Sequence, residues 1–160
     1  MGSPSEQINP IDLEIYWNRL ISVVDEAGAA MKRTSFSTVV RESNDFTCVM
    51  LDADGALLAQ SSWSVPGFIG TTPHSLKHFL AVYPKETLAD GDIILLNDPY
   101  DGATHLNDIK LIKPLFRDGR PFCLLASVGH WIDVGGNVPG NYNPTATDIM
   151  QEGMRIPAVK

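Results

Sequence analysis

Two histidines and an aspartate in the second half of the chain have the residue types of a transition-metal site. They are His105, Asp108 and His130. Two imidazoles and one carboxylate suit Zn, Mn, Fe or Ni and leave coordination positions open for water or substrate. A metal held in this way can polarise a carbonyl group or lower the pKa of bound water. The set therefore predicts a catalytic metal site, not a purely structural one.

A β-hairpin is predicted around these residues and gives a physical reason for them to meet. Its arms are residues 109–116 and 121–128, which are rich in apolar and β-branched side chains. Asp118-Gly119 stands between the arms and is typical of a type I′ turn. Such a turn fixes the register of the two strands, so the pairing can be followed to the open end of the hairpin.

The regular ladder predicts which residues face each other at that open end. It places Asn107 opposite His130 and Asp108 opposite Gly129, and opposed Cβ atoms lie about 5 Å apart. Strict alternation would then turn Asp108 away from the histidines. The metal site therefore requires a bulge or irregular backbone within residues 104–108.

Two further carboxylates, Asp98 and Asp133, are predicted to support the catalytic site. Carboxylates orient metal-bound histidines by accepting the hydrogen of the other ring nitrogen. Asp101 is a weaker candidate for this role. The alternative interpretation is that the histidines are ordinary half-buried residues that bind no metal. His74 and His78, one turn apart on a predicted helix, are interpreted as part of a solvated face.

Two helices are predicted from apolar residues that recur at three- and four-residue steps. The first begins at Asn9, which can cap it, and Pro10, which suits the first helical position. The second is predicted to begin at Thr72-Pro73 and to end before Pro84. The apolar faces are Ile15, Tyr16, Leu20, Val23, Val24, Ala27 and Met31 in the first helix and Leu76, Phe79, Leu80 and Tyr83 in the second.

The remaining elements are mostly strands. Residues 45–51 and 56–60 predict another hairpin, and residues 92–96 predict a short buried strand. Residues 134–144 are rich in Gly, Asn and Pro and predict a loop, followed by a brief helix within residues 145–154. The predicted fold is α+β: an N-terminal helix, then β-hairpins and a short second helix, with a mixed or antiparallel sheet.

The charge balance excludes one class of partner. The chain has 12 lysines and arginines against 19 aspartates and glutamates, a net charge of −7 at pH 7. Its longest basic cluster is the pair Lys32-Arg33. Nucleic-acid binding depends on basic patches that neutralise phosphates. DNA and RNA are therefore not expected as ligands.

Cysteine usage and the length of the apolar segments indicate an intracellular domain. Cys48 and Cys123 lie in apolar runs and are expected to be buried free thiols. No export signal is evident at the N-terminus, and no apolar run is long enough to span a bilayer. We expect a cytoplasmic protein with a flexible segment at residues 1–8 and one domain over residues 9–160.

A succession of short motifs runs through most of the chain. The motifs are Arg41-Glu42-Ser43-Asn44-Asp45-Phe46-Thr47-Cys48, Gly55-Ala56-Leu57-Leu58-Ala59-Gln60, Gly91-Asp92, Asn97-Asp98-Pro99-Tyr100, Thr104-His105-Leu106-Asn107-Asp108, Gly129-His130-Trp131-Ile132-Asp133-Val134-Gly135-Gly136 and Gln151-Glu152-Gly153. In this order they resemble the hydantoinase B/oxoprolinase family, which includes the corresponding large subunits of acetone and acetophenone carboxylases. Family chains are several times longer, so residues 9–160 are expected to be the N-terminal part of a longer metal-binding domain.

The resemblance implies roles for residues and partners. A family metal is bound by a histidine, an aspartate three residues later and a second histidine, which match His105, Asp108 and His130. The resemblance also implies a cytoplasmic hetero-oligomer in which a hydantoinase A-like partner subunit binds ATP and Mg and phosphorylates the carbonyl oxygen of a small substrate. This chain would then support attack on the activated species.

One departure from the family pattern concerns the substrate. Hydantoinase-like members commonly carry Pro-Val-His-Leu-Gly where this chain has Pro66-Gly67-Phe68-Ile69-Gly70. A histidine expected in that branch is therefore replaced by Phe68. The difference favours a carboxylase or lactamase branch.

Four functions follow from these patterns. The first is a metal-binding subunit of an ATP-dependent enzyme that hydrolyses a cyclic amide, such as a hydantoin, oxoproline or lactam. The second is a subunit of an ATP-dependent ketone carboxylase of the acetone or acetophenone type. The third is an iron oxygenase with a two-histidine, one-carboxylate site, although the usual His-x-Asp spacing is not present. The fourth is a non-catalytic assembly module whose histidines are structural.

Overall fold

The computed structural model describes residues 8–160. Residues 1–7, nearly all of the segment expected to be flexible, lie outside the described residues. In the described part, the helices are α1 (Pro10–Thr34), α2 (Thr38–Ser43) and α3 (Pro66–Val82). The strands are β1 (Phe46–Asp52), β2 (Leu57–Gln60), β3 (Ile94–Leu96), β4 (Asp108–Arg117) and β5 (Arg120–His130). Short 3-10 turns span Lys85–Thr87, Pro99–Asp101 and Ile149–Gln151. The predicted α+β class is confirmed.

The strands form one antiparallel sheet in the order β2-β1-β5-β4-β3. Both predicted hairpins are present, β1 with β2 and β4 with β5. Pairing of β1 with β5 joins the two hairpins, and Phe46 lies opposite Gly129 in that pairing. The start of β1 therefore lies beside the end of β5, where His130 is located.

Helix α3 covers one face of the sheet. Its Leu76 and Phe79 are fully buried in one apolar cluster with Ile112 of β4 and Leu124 of β5. Burying each such side chain contributes about 1.5–3 kcal/mol relative to leaving it in water. The cluster fixes α3 against the hairpin that carries two of the predicted metal ligands.

Helix α1 begins as predicted, but its buried face is shorter than expected. The Asn9 side chain accepts a hydrogen bond from the Ile11 amide, and Pro10 is the first helical residue. The buried residues of α1 lie in its second half, which contacts β1, β2 and α2. Ile15 and Tyr16 were predicted to be buried and are 58% and 61% exposed. A helical period therefore identified the apolar face, but not how much of that face is covered in the described part of the chain.

Helix α3 begins earlier than the sequence prediction placed it. Its first residue is Pro66, and Pro73 lies inside the helix instead of near its start. Two prolines were available as helix starters, because proline is favoured in the first turn. Phe68 is buried on the same face as Thr72 and Leu76, four and eight residues later. This extension of the apolar period is the signal that should have selected Pro66.

Helix α2 was missed because it is a single short segment. Ser37 caps it by accepting a hydrogen bond from the Val40 amide, and Asn44 ends it in a left-handed conformation with φ 55°. Six residues are too few for a period of 3.6 to be recognised. The helix leads directly into Asp45 and β1, so it places the start of β1 near the site.

The two thiols are buried and free, as predicted. Burial raises the pKa of the Cys48 thiol to about 11. A neutral thiol of this kind behaves as a small apolar side chain. Within residues 8–160, no helix has both the length and the apolar character of a membrane-spanning segment.

Candidate metal site

The β4–β5 hairpin has the turn that the sequence predicted. Asp118 and Gly119 have φ values of 52° and 75°, and Arg117 pairs with Arg120. Positive φ at both central residues is the signature of a type I′ turn. The strands therefore start in the predicted register.

The register changes two residues away from the turn. Phe116 pairs with Pro121, but Leu115 pairs with Cys123, so Phe122 has no partner on β4. This is a β-bulge, in which one strand contains an extra residue. The sequence prediction placed the irregularity at residues 104–108, at the opposite end of the hairpin. Phe122 itself gives no strong bulge signal, since it is an ordinary strand residue.

The bulge shifts the register of β4 against β5 by one residue at the open end of the hairpin. Asp108 lies opposite His130, whereas the regular ladder had placed Asn107 opposite His130 and Asp108 opposite Gly129. Opposed residues project to the same face of a sheet. The conflict with strict alternation is thus removed, and the Asp108 and His130 side chains face each other.

A tight turn brings His105 to the same place. The Asp108 amide donates to the His105 carbonyl over 3.1 Å, which folds residues 105–108 back on themselves. Asn107 joins this turn to the end of β5, because its carbonyl accepts from the Trp131 amide and its side chain donates to the Trp131 carbonyl, both over 2.8 Å. Hydrogen bonds of the buried Asn107 therefore hold the turn at residues 105–108 against the end of β5.

The three predicted ligands converge in the structure. His105 Nε2 lies 3.3 Å from Asp108 Oδ2, and His130 Nδ1 lies 3.3 Å from Asp108 Oδ1. The two imidazole ring centroids are 4.8 Å apart. One ligand atom from each of the three side chains lies within 4.8 Å of the others, so a single ion could be bound by all three.

Burial and unpaired atoms support the fit of a metal ion. The Asp108 and His130 side chains are 2% and 8% exposed, and Asp108 Oδ1 and His130 Nδ1 are buried without a hydrogen-bond partner. A buried polar atom left without a partner costs about 1–3 kcal/mol. A cation between these atoms would satisfy both. Two nitrogen donors and one carboxylate are also the donor set expected for Zn, Mn or Fe.

His105 is the accessible member of the cluster. Its side chain is 34% exposed, in contrast to the buried Asp108 and His130. The hydrogen bond to Asp108 raises the pKa of His105, and burial opposes this effect. His105 is therefore the most exposed of the three predicted ligands.

Asp45 also reaches the cluster, and the sequence prediction missed it. Its Oδ2 lies 3.6 Å from His130 Nδ1, and its carbonyl accepts a hydrogen bond from the His130 amide. Burial raises the pKa of Asp45, while the positive potential of His130 lowers it. The residue was missed because its position depends on β1 pairing with β5. In the sequence, Asp45 was marked only by its place in the motif that runs from Arg41 to Cys48, immediately before β1.

Asp98 and Asp133, the two carboxylates predicted to support catalysis, bond to other groups. Asp98 is fully buried, accepts from the Tyr100 amide over 3.0 Å and pairs with the guanidinium of Arg155. Asp133 accepts from the amides of Gly135 and Gly140, which lower its pKa. In the part of the chain that the structure describes, neither carboxylate contacts His105 or His130. Their catalytic role therefore stays a prediction.

The other candidates from the sequence lie apart from the cluster. His78 Nε2 is 3.0 Å from Asp101 Oδ1 at a partly exposed position, which engages Asp101 away from the site. Phe68, which replaces an expected histidine, is buried in the face of α3.

A buried lysine missed by the sequence prediction lies two residues beyond Asp108 on the same strand face. Lys110 Nζ donates to Ser75 Oγ of α3 and to the Gly102 carbonyl, both over 2.7 Å. Burial lowers the pKa of Lys110 to about 8, and Asp108 opposes this effect. Lys110 therefore connects α3 to the loop that leads into His105.

Three known enzymes contain a region similar to this chain. The chain is 32% identical over 158 residues to the 5-oxoprolinase of Dictyostelium discoideum, covering 96% of this chain and 12% of the relative. It superimposes on acetone carboxylase, described for ATP-dependent acetone carboxylation, with a TM-score of 0.86 and 25% identity over 96% of this chain and 20% of the carboxylase chain. The ATP-dependent caprolactamase of Pseudomonas jessenii gives a TM-score of 0.84 and 29% identity over 96% of this chain and 26% of that chain.

The chain spans only part of the proteins it matches. It covers from 12% to 27% of the length of its first curated relatives. Residues 9–160, almost the whole chain, match the family described as hydantoinase B/oxoprolinase. The chain belongs to the hydantoinase B/oxoprolinase family.

Proposed function

We propose that this chain is the N-terminal part of a metal-binding subunit in an ATP-dependent enzyme that hydrolyses a cyclic amide. The observation that carries the proposal is the convergence of His105, Asp108 and His130, with two buried polar atoms left without partners. Family membership supports it, because a 5-oxoprolinase and a caprolactamase are among the similar proteins.

His105, Asp108 and His130 would hold a divalent transition metal, either Zn, Mn or Fe. When bound, such a metal would polarise the substrate carbonyl or acidify a water molecule. Asp108 would supply the negative charge, and its burial keeps solvent from competing for its oxygens. The exposed edge of His105 marks the side from which the substrate would enter.

Asp45, Asp98 and Asp133 are proposed to position this cluster. Asp45 is the nearest of the three, 3.6 Å from His130 Nδ1. Asp133 holds the loop that follows His130 through two backbone amides. Asp98 fixes the loop before His105 by binding the Tyr100 amide and Arg155. Each would act through another residue and not on the substrate itself.

ATP and Mg are proposed to bind to a hydantoinase A-like partner subunit in a cytoplasmic hetero-oligomer. The ATP dependence of acetone carboxylase and of caprolactamase supports a nucleotide requirement. The glycine-rich loop after His130 is an unsuitable phosphate site, because the amides of Gly135 and Gly140 already donate to Asp133. The partner would activate the carbonyl oxygen, and this chain would support attack on the activated carbonyl carbon.

Ketone carboxylation is the alternative function. The similarity to acetone carboxylase favours it, and so does Phe68, which replaces the histidine common in hydantoinase-like members. A ketone also presents a carbonyl oxygen that the same metal could polarise. The two functions therefore differ in the species that attacks and not in the metal site.

Product analysis of the complete enzyme with its partner subunit distinguishes these functions. We expect ATP-dependent ring opening of a panel of cyclic amides that includes hydantoin, 5-oxoproline and caprolactam. Incorporation of labelled bicarbonate into a β-keto acid from acetone or acetophenone, without ring opening of any amide, would establish the carboxylase instead. Complete enzyme that binds no metal and catalyses neither reaction would support the assembly module.

Asp45→Asn is expected to weaken metal binding about 10-fold to 100-fold, the effect of removing a group that orients a ligand. The substitution keeps the shape of the side chain but removes its charge next to His130 Nδ1. Metal affinity is measured by competition with a chromogenic chelator. Asp25→Asn is the matched control, since Asp25 binds Ser62 outside the cluster. Equal affinities for the two variants would exclude a role for Asp45.

A further inference from the structure

The first half of α1 is an apolar helix without a covering element in the part of the chain that the structure describes. Residues 8–19 are exposed at every position. The large apolar side chains in this half are between 48% and 67% exposed, and they are Ile11, Leu13, Ile15, Tyr16 and Trp17. A helix that is apolar on several sides is normally buried between other elements. This half of α1 therefore has the character of an interface.

One apolar stripe runs through both halves of α1. It consists of Tyr16, Leu20, Val23 and Ala27, which follow one another at steps of four, three and four residues. A repeat of about 3.5 residues is typical of a helix that pairs lengthwise with another helix. Tyr16 is 61% exposed, Val23 is 45% exposed, and Ala27 is exposed as well. The stripe, called the α1 seam below, has no partner helix within residues 8–160.

A groove of about 330 Å³ lies beside the α1 seam. Val23 and Ala27 line one side of it, and Leu111 of β4 and Ile93 line the other. Leu111 projects away from α3, because its neighbour Ile112 belongs to the cluster that packs under α3. Leu111 and Ile93 are 43% and 52% exposed. This face of the sheet is therefore open next to α1 in the described structure.

The open part of the sheet has the width of one helix. Helix α1 contacts β1 and β2, and β4 lies two strands from β1 in the sheet. Two strand spacings are about 9–10 Å, which is also the distance between the axes of two packed helices. A second helix that packs along the α1 seam would therefore lie over β4 and cover Leu111.

An antiparallel copy of α1 fits the seam. Pairing Leu20 with Val23 of a second copy also pairs Tyr16 with Ala27, so the largest seam residue lies opposite the smallest. A twofold axis makes each of these contacts occur twice, as in an isologous dimer. The exposed first half of each helix would then lie beside the second half of the other helix, which is bound to its own sheet.

The sheet-facing side of α1 suits the same arrangement. Trp17 lies seven residues before Val24 and 11 before Gly28, the two buried residues of the helix, so all three share one face. Gly28 lies against Phe46 of β1. Trp17 therefore faces the level of the sheet. In the antiparallel pair, it would contact the open sheet face of the other copy, where Leu111 is exposed.

Charge complementarity favours an antiparallel second copy as the occupant. Arg19 and Glu26 border the seam on its solvent side, and neither forms an ion pair in the described residues. In the antiparallel pair, each Arg19 lies beside Glu26 of the other copy, which gives two ion pairs. A parallel pair in register would instead place like charges together. Charged residues beside a helix seam determine the orientation of the helices in this way.

We propose that the α1 seam joins two copies of this chain through an antiparallel pair of α1 helices, with Trp17 of each copy in the groove of the other. None of the four seam residues lines the cavities next to His105 and His130. The interface is therefore independent of the metal function proposed above.

Disulfide trapping in the complete enzyme tests the pairing. Tyr16→Cys/Ala27→Cys places two thiols about 16 Å apart along one helix, too far for a bond within one copy but opposite each other in the antiparallel pair. Mild oxidation should convert most of this variant into a covalent dimer of the chain on a non-reducing gel. The native thiols, Cys48 and Cys123, are buried and should not react.

Ile11→Cys/Ser22→Cys is the matched control. It has the same spacing of 11 residues but lies on the side of α1 opposite the seam. This variant should stay a single chain on the gel. All four substituted positions are exposed or partly exposed, and circular dichroism should show that both variants are folded.

Charge reversal provides the second measurement. Arg19→Glu, added to the trapping variant, should slow cross-linking about 10-fold, because two exposed ion pairs become repulsive. Adding Glu26→Arg as well exchanges the signs and should restore the rate. The two residues are seven positions apart, beyond the three- and four-residue steps at which side chains meet along one helix, so restoration reports a contact between copies. If the trapping variant forms no covalent dimer, or if reversal leaves the rate unchanged, another segment or protein covers the seam and the proposal is wrong.

Discussion

Asp108→Asn is expected to abolish stoichiometric metal binding and, with it, catalysis. Asp108 is the only residue of the described cluster that contacts both histidines, at 3.3 Å to each. The amide keeps the size of the side chain but removes the buried charge, and ligating carboxylates must be ionised to bind metal. Elemental analysis of the purified protein should show a metal content below a tenth of the wild-type value.

Asp101→Asn is the matched control for this experiment. Asp101 also contacts one histidine, His78 at 3.0 Å, but at a partly exposed position away from the cluster. This variant should retain its full metal content. Circular dichroism should show that both variants are folded. Full metal occupancy in a folded Asp108→Asn protein would contradict the assignment of the site.

Gly102→Ala is expected to destabilise the fold by about 2–5 kcal/mol. Gly102 has φ 94°, and an added Cβ would lie 2.7 Å from Ser75 Oγ and 2.8 Å from the Ser75 amide nitrogen. A side chain at positive φ costs about 1–2 kcal/mol, and overpacking against a fixed backbone adds about 1–3 kcal/mol. The free energy of unfolding, measured by urea denaturation, gives the effect.

A Gly91→Ala variant separates the conformational cost of a side chain at positive φ from the cost of the steric clash with Ser75. Gly91 has nearly the same φ, 93°, but an added Cβ there would meet no atom within 4 Å. It should therefore cost only the conformational penalty of about 1–2 kcal/mol. Equal losses in the two variants would show that α3 moves away from Gly102 at little cost. The Gly102 variant should also lose metal, since its loop leads to His105.

The sequence predicted which side chains form the cluster of His105, Asp108 and His130 better than it predicted the backbone that brings them together. His105, Asp108 and His130 were identified from residue type and from a hairpin whose turn chemistry is local and strong. The bulge at Phe122 could not be predicted from the same reasoning. A bulge depends on how the strand packs against the rest of the sheet, and an apolar strand residue gives little sign of it.

Asp45 shows the other limit, which is long-range pairing. Local patterns predicted both hairpins, but not that β1 would pair with β5. The pairing of Phe46 with Gly129 is what brings Asp45 to His130, across more than half of the chain. Hydrophobic periodicity shows which face of a helix or strand is apolar, but not which other element packs against that face. For the same reason, it overestimated how much of α1 is buried.

The bulge at Phe122 also determines where the chain tolerates changes in length. Between the bulge and the candidate metal site, inserting or deleting a single residue in one strand would turn every later side chain to the opposite face. Near the Asp118-Gly119 turn, a bulge or a longer loop can absorb such a change. Among homologous sequences, we therefore expect gaps to concentrate at residues 116–122 and to be rare in the strand residues that lead to Asp108 and His130.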